Sequence, residues 1–157
     1  MFKIIIATVS NTPGVLNQVS SLLRRRNFNI CSLTVAPMID KNFSKMIINL
    51  EEGVDATQVS KHLHKLINVL KVSIYNGDST DIILHESLFL KVNATRASRA
   101  EVLQFGAVYN ATIVNLNNKD ITFQYSAHPD KIQEFIEIMT TFGIKDVVQS
   151  GITAIGK

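Results

Sequence analysis

An α+β fold of two tandem βαββαβ units is the class this sequence predicts, and three observations predict it. Short runs of apolar β formers alternate with stretches of helical apolar spacing, in the order strand, helix, strand, strand, helix, strand. The same order then returns in the second half without evident repetition of sequence. Between the halves lies Asn76-Gly77-Asp78-Ser79-Thr80, small, polar and flanked by apolar strand patterns. The expected domains are therefore 1–76 and 77–157, each ferredoxin-like and each near the size at which one core is only marginally stable alone.

Phe2 to Val9 reads as the first strand. From Val15 the residues Leu16, Val19, Leu22 and Leu23 keep helical spacing, so a one-sided helix runs to about Asn27. Phe28 to Pro37 and Ser44 to Glu51 form a hairpin across the polar turn Met38 to Phe43. Asp55 caps a second helix on which Val59, Leu63, Leu66, Ile67 and Leu70 share a face, and Val69 to Tyr75 closes the unit as a strand. In the second half Leu84 to Asn93 is a strand, and Ser98-Arg99-Ala100-Glu101 has capping-box spacing ahead of a helix. Ala111 to Leu116 and Ile121 to Tyr125 pair around Asn117-Asn118. Pro129 starts a helix carrying Ile132, Phe135, Ile136 and Met139, Gly143 ends it, and Ile144 to Ser150 is the last strand.

The first strand is apolar at consecutive positions, Ile4, Ile5 and Ile6, where a sheet with one wet face should alternate. Something must cover that sheet or its edge, and a dimer or docking on a larger partner is the expected cover.

Among the 157 residues 46% are apolar, which is enough for packed cores and excludes whole-chain disorder. No apolar run approaches the ~18 residues of a membrane span. Met1-Phe2-Lys3 leads straight into a strand, so a soluble, cytoplasmic protein is expected. The single cysteine, Cys31, excludes an internal disulfide and reads as a small strand residue. A net charge of +3 is mild. Arg24-Arg25-Arg26 falls in the last turn of a helix, where cations complement the dipole, and no interleaved aromatics suggest nucleic acid.

Asn11-Thr12-Pro13-Gly14-Val15-Leu16 joins the first strand to the first helix. A helix beginning there presents unpaired N–H groups and a positive dipole end, which suit a small carboxylate, and glycine lets a ligand approach the main chain. The same residues also simply turn the chain. Elsewhere no set of residues carries catalysis. His62 and His64 are two apart on a helix and cannot chelate one metal; His85 and His128 are isolated. There is no nucleophile elbow, phosphate loop or dinucleotide fingerprint. A binding or regulatory module without catalytic residues, metal or intrinsic cofactor is expected.

The N-terminal half resembles an ACT domain, a small ligand-sensing module, through Asn11 to Leu16 followed by Arg26-Asn27-Phe28-Asn29-Ile30. More narrowly, Asn29 to Pro37, Ser44-Lys45-Met46 and Leu63 to Val72 resemble the small regulatory subunit of acetohydroxyacid synthase, also called acetolactate synthase. Glu86 to Val92 and the ending Phe142-Gly143-Ile144 to Gly151 extend the likeness more loosely. The resemblance implies a non-catalytic subunit that binds and activates a thiamine-diphosphate-dependent catalytic subunit. It also implies feedback inhibition by a branched-chain amino acid, usually valine, in the biosynthesis of those amino acids. Carried over, Asn11 with the main chain of Gly14, Val15 and Leu16 would receive the effector, and Asn29 and Ile30 would come from the neighbouring subunit of an ACT homodimer. Thr34, Ala36 and Gln58 match positions near that interface. Lys45, Asn110, Asn115 and Gln149-Ser150 depart from the family pattern. A stand-alone amino-acid sensor acting on another enzyme or a transcription factor is the alternative implied by the looser second half.

Overall fold

The run Ile4-Ile5-Ile6 sits in the strand Lys3–Ser10, and all three side chains are buried, so this strand has a covered face on each side. The computed structural model describes residues 1–157. In chain order its elements are β1 (Lys3–Ser10), α1 (Val15–Arg25), β2 (Ile30–Pro37), β3 (Phe43–Leu50), α2 (Ala56–Leu63) and β4 (Val69–Asn76). They continue with β5 (Ile82–Asn93), α3 (Arg99–Val108), β6 (Thr112–Leu116), β7 (Asp120–Ala127), α4 (Pro129–Thr140), β8 (Ile144–Gln149) and β9 (Thr153–Gly156). No helix is long and apolar enough to cross a membrane.

The chain divides into one unit of Met1–Leu84 with Gly151–Lys157 and another of His85–Ser150. The division falls after Leu84 rather than at 76/77, and the last residues return to the first unit. In that unit the antiparallel strands stand in the order β2-β3-β1-β4. Ile5, Ala7, Met46, Ile48 and Leu50 pack on one face beneath Val19 and Leu23 of α1 and Val59 and Leu63 of α2. The opposite face carries Ile4, Ile6 and Ile47, and Ile82, Leu84 and Ile152 cover them. This corrects the expectation that a dimer or larger partner covers the face: the chain's own distant segments do so. β9 pairs with β5, and the Lys157 N–H donates to the Asp81 carbonyl over 2.9 Å. The strands β2 and β4 remain sheet edges.

Two local expectations also change. The second helix stops at Leu63 instead of continuing to Leu70, because Val69 is claimed by the sheet through its pairing with Val9. Ile67 is left almost wholly exposed. Ser98 does not form a capping box; its hydroxyl instead accepts the Thr95 N–H, and Thr95 Oγ1 accepts the Ser98 N–H. Asp55 does cap α2, accepting from the N–H groups of Thr57 and Gln58.

The second unit repeats the arrangement as β6-β7-β5-β8. Leu88, Leu90 and Val92 alternate along β5 and pack with Ile121 and Phe123 against Val102 of α3 and Ile132, Phe135 and Met139 of α4. The tandem α+β, ferredoxin-like class predicted from element order is the observed one. At the β6–β7 turn, Asn117 Oδ1 accepts the N–H groups of Lys119 and Asp120, and the Lys145 ammonium donates to Asp120 Oδ2 over 2.9 Å.

That lysine's hydrogen bond holds the Asp120 carboxyl below its ordinary value of 3.8, with Asn117 adding to the effect and burial opposing it. A depressed folded-state pKa adds stability that is complete above the ordinary value and is lost as pH falls through the folded one. Wild-type protein should therefore lose more stability than Asp120→Asn as pH falls from about 5 to below the 3.8 of a free aspartate, in urea denaturation at each pH.

Candidate functional site

Gly14 stands immediately before α1 with φ of 84°, in the left-handed region where a residue without Cβ fits at no steric cost. It offers no side chain to cap the helix, and no acidic residue lies in the first turn. The Val15 N–H makes a long bond of 3.4 Å to the Thr12 carbonyl, but no side chain caps the positive end of α1, which suits a carboxylate from outside. Asn11 lies beside this tip: its N–H donates to the Asn42 carbonyl over 2.7 Å and its Nδ2 to the Lys41 carbonyl over 2.8 Å. With Nδ2 so committed, Oδ1 is the group left to receive an ammonium. Val15 is buried in the core, so only its main chain can face a ligand there, whereas Leu16 is about half exposed.

At the other end of α1 the chain leaves the helix through Asn27 in the left-handed conformation, φ 54°, with the Phe28 N–H returning to the Leu23 carbonyl. That turn delivers Asn29 and Ile30 to the start of β2. The Asn29 amide donates to Glu51 Oε2 over 2.8 Å, while Ile30 packs half-buried against the core. Here a groove of about 570 Å³ opens between Leu23, Arg24, Phe28, Asn29, Ile30 and Glu51.

Within one chain the structure does not bring the two halves of the expected effector site together. Gly14 and Asn29 flank opposite ends of an 11-residue helix, which at ~1.5 Å per residue separates them by roughly 16 Å. Thr34, Ala36 and Gln58 are not gathered at either end. Thr34 Oγ1 is buried without a hydrogen-bond partner where Gly151 passes within van der Waals range, and Gln58 sits exposed on α2. Arg24 and Glu51 were missed from sequence. Their signal was register: Ile30 pairs with Leu50, which puts Glu51 beside Asn29, and α1 ends on Arg24-Arg25. No group of three or more His, Cys, Asp or Glu side chains is placed to hold a metal ion.

Comparison with known proteins bears on this geometry. Residues 5–71 match the family model described as "AHAS small subunit-like ACT domain", and residues 85–157 match "Small subunit of acetolactate synthase". The chain is 36% identical over 149 residues to a probable acetolactate synthase small subunit of Archaeoglobus fulgidus, covering 94% of this chain and 91% of that protein. It is 31% identical to the acetolactate synthase small subunit of Bacillus subtilis, covering 100% and 91% respectively. The crystal structure of an acetolactate synthase small subunit from Thermotoga maritima has the same fold, with a TM-score of 0.89 at 24% identity over 100% of this chain and 98% of that one.

Proposed function

We propose that this chain, which belongs to the acetolactate synthase small-subunit family, is a non-catalytic regulatory subunit that senses valine or another branched-chain amino acid. In this reading it raises the activity of a thiamine-diphosphate-dependent catalytic subunit in the cytoplasm and lowers that activity when the effector is bound. The observation that carries the effector reading is the uncapped α1 start at Gly14 with Asn11 beside it. An amino acid supplies a carboxylate for the helix tip, an ammonium for Asn11 Oδ1 and an apolar side chain for Leu16 or Ile30.

The separation of Gly14 from Asn29 along α1 supports a pocket shared between two chains. The free edge of β2 gives such a dimer an unpaired strand to use. An effector bound between two chains favours one dimer arrangement over another, and that difference in affinity is what allows it to regulate. Asn11 holds the carbonyls of Lys41 and Asn42, so the loop 37–44 is our candidate for passing the signal on.

Asn29→Ala should weaken valine binding by about ten- to a hundredfold, the worth of a hydrogen bond to a charged group. The fold should persist, since Asn29 is exposed and its side chain bonds to Glu51 ahead of β2 rather than packing in the core. Titration calorimetry with valine checks this, and unchanged affinity would remove Asn29 from the pocket. The alternative, a stand-alone sensor, has less support because the second unit itself matches the small-subunit model over 85–157.

A further inference from the structure

A second cavity, of about 450 Å³, lies in the first unit on the sheet face away from the helices. Its floor follows from the strand register. Thr8 pairs with Lys45 on β3 and with Lys71 on β4, so the three side chains stand in one row across adjacent strands and share a face. The next row inward is Ile47, Ile6 and Ser73, by the same pairing. Tyr75 follows on β4, and Met38 with residues 154–157 completes the lining.

The charged side chains of this lining, Lys45, Lys71 and Lys157, are all cationic. No Asp or Glu side chain lines it, and neither Lys45 nor Lys71 forms a salt bridge. Their strands lie two spacings apart, roughly 10 Å, and lysine stems are long and flexible. Both ammonium groups can therefore reach a single anion held above Thr8. The hydroxyls of Thr8, Ser73 and Tyr75 supply further donors, and Ile6, Met38 and Ile155 supply apolar surface.

We propose that this cavity binds a small organic anion whose phosphate or carboxylate head lies between Lys45 and Lys71 and whose body rests against Ile6 and β9. The volume lies within the ordinary range for small-molecule sites, about 300–1,000 Å³. The site is separate from the helix tip at Gly14 and does not depend on the valine reading. Because β9 forms one wall and the sheet the floor, an occupant ties the C-terminal segment to β1, β3 and β4. Ligand binding therefore stabilises this unit in proportion to its occupancy.

The test uses the full chain, with inorganic phosphate and succinate titrated separately against chloride at matched ionic strength and amide NMR shifts as the readout. Saturable shifts at Thr8, Lys45, Lys71 and Ser73 are expected, with affinity at least tenfold weaker in Lys45→Met and in Lys71→Met and valine binding unchanged in both. A response to phosphate alone assigns a phosphate head, and a response to succinate alone assigns a carboxylate; either supports the site. Absence of saturable shifts with both probes overturns it. So does a response undiminished in the double variant, or one confined to the amides of Leu16 and Asn17 at the start of α1.

Discussion

Gly14→Asp is expected to abolish inhibition by valine while leaving activation of the catalytic subunit intact. A Cβ at Gly14 meets nothing within 4 Å, so the new side chain has room at the helix tip where we propose the effector's carboxylate binds. Its carboxylate would then lie near the effector's own. Two like charges ~4 Å apart repel by about 1 kcal/mol in water and about 4 kcal/mol near a protein surface, which weakens binding by roughly five- to a thousandfold. The left-handed backbone at this position costs a side chain roughly 1–2 kcal/mol. Asparagine bears the same strain without the charge, so Gly14→Asn should keep measurable valine binding and isolate the electrostatic effect. Retained valine affinity in Gly14→Asp, measured by calorimetry, would exclude the helix tip as the carboxylate site.

Ile152→Ala should destabilise the first unit by about 2–5 kcal/mol, the usual cost of truncating a buried isoleucine. Ile152 is 6% exposed and packs with Ile82 and Leu84 over Ile4, Ile6 and Ile47. At roughly 0.05–0.15 kcal/mol of stability per residue, a unit of this size loses a large share of its total. Ile155, in the neighbouring strand β9 but 64% exposed, provides the control. Ile155→Ala should change stability by no more than about 0.5 kcal/mol. Denaturant unfolding followed in the two variants distinguishes a covering segment from a loosely attached tail, which would show equal and small effects.

The strand and helix order from β1 to β8 was legible because apolar periodicity and turn residues agree along most of the chain, whereas β9 lies beyond the strand expected to be last. Ile4-Ile5-Ile6 also announced a sheet covered on both faces. What covers it was not legible. Ile82, Leu84 and Ile152 occur in apolar runs too short to declare a partner, and Ile152 reaches Ile4 across almost the whole sequence. The end of α2 was misread for a related reason: Leu66, Ile67 and Leu70 keep helical spacing, but β1 offers Val69 a ladder that outweighs local pattern. At Ser98 the motif was present, yet Thr95 captured the hydroxyl first.

The candidate site was legible to a different extent at each end. Asn11, Pro13 and Gly14 mark a turn that any reading of backbone chemistry finds, and the structure adds the uncapped helix start and the tie from Asn11 to Lys41. Asn29 came from family resemblance alone. Its bond to Glu51 depends on strand register, which no local pattern specifies. The cationic row Lys45, Thr8 and Lys71 was invisible for the same reason, since its members come from three strands far apart in sequence.

The measurement that tests the regulatory reading most directly is a titration of this chain into its catalytic subunit at constant substrate, with valine, leucine and isoleucine added in parallel. The expected result is a saturable rise in acetolactate synthesis that at least one of the three amino acids, valine foremost, reverses only when this chain is present. Catalytic activity unchanged across a saturating titration would contradict the account.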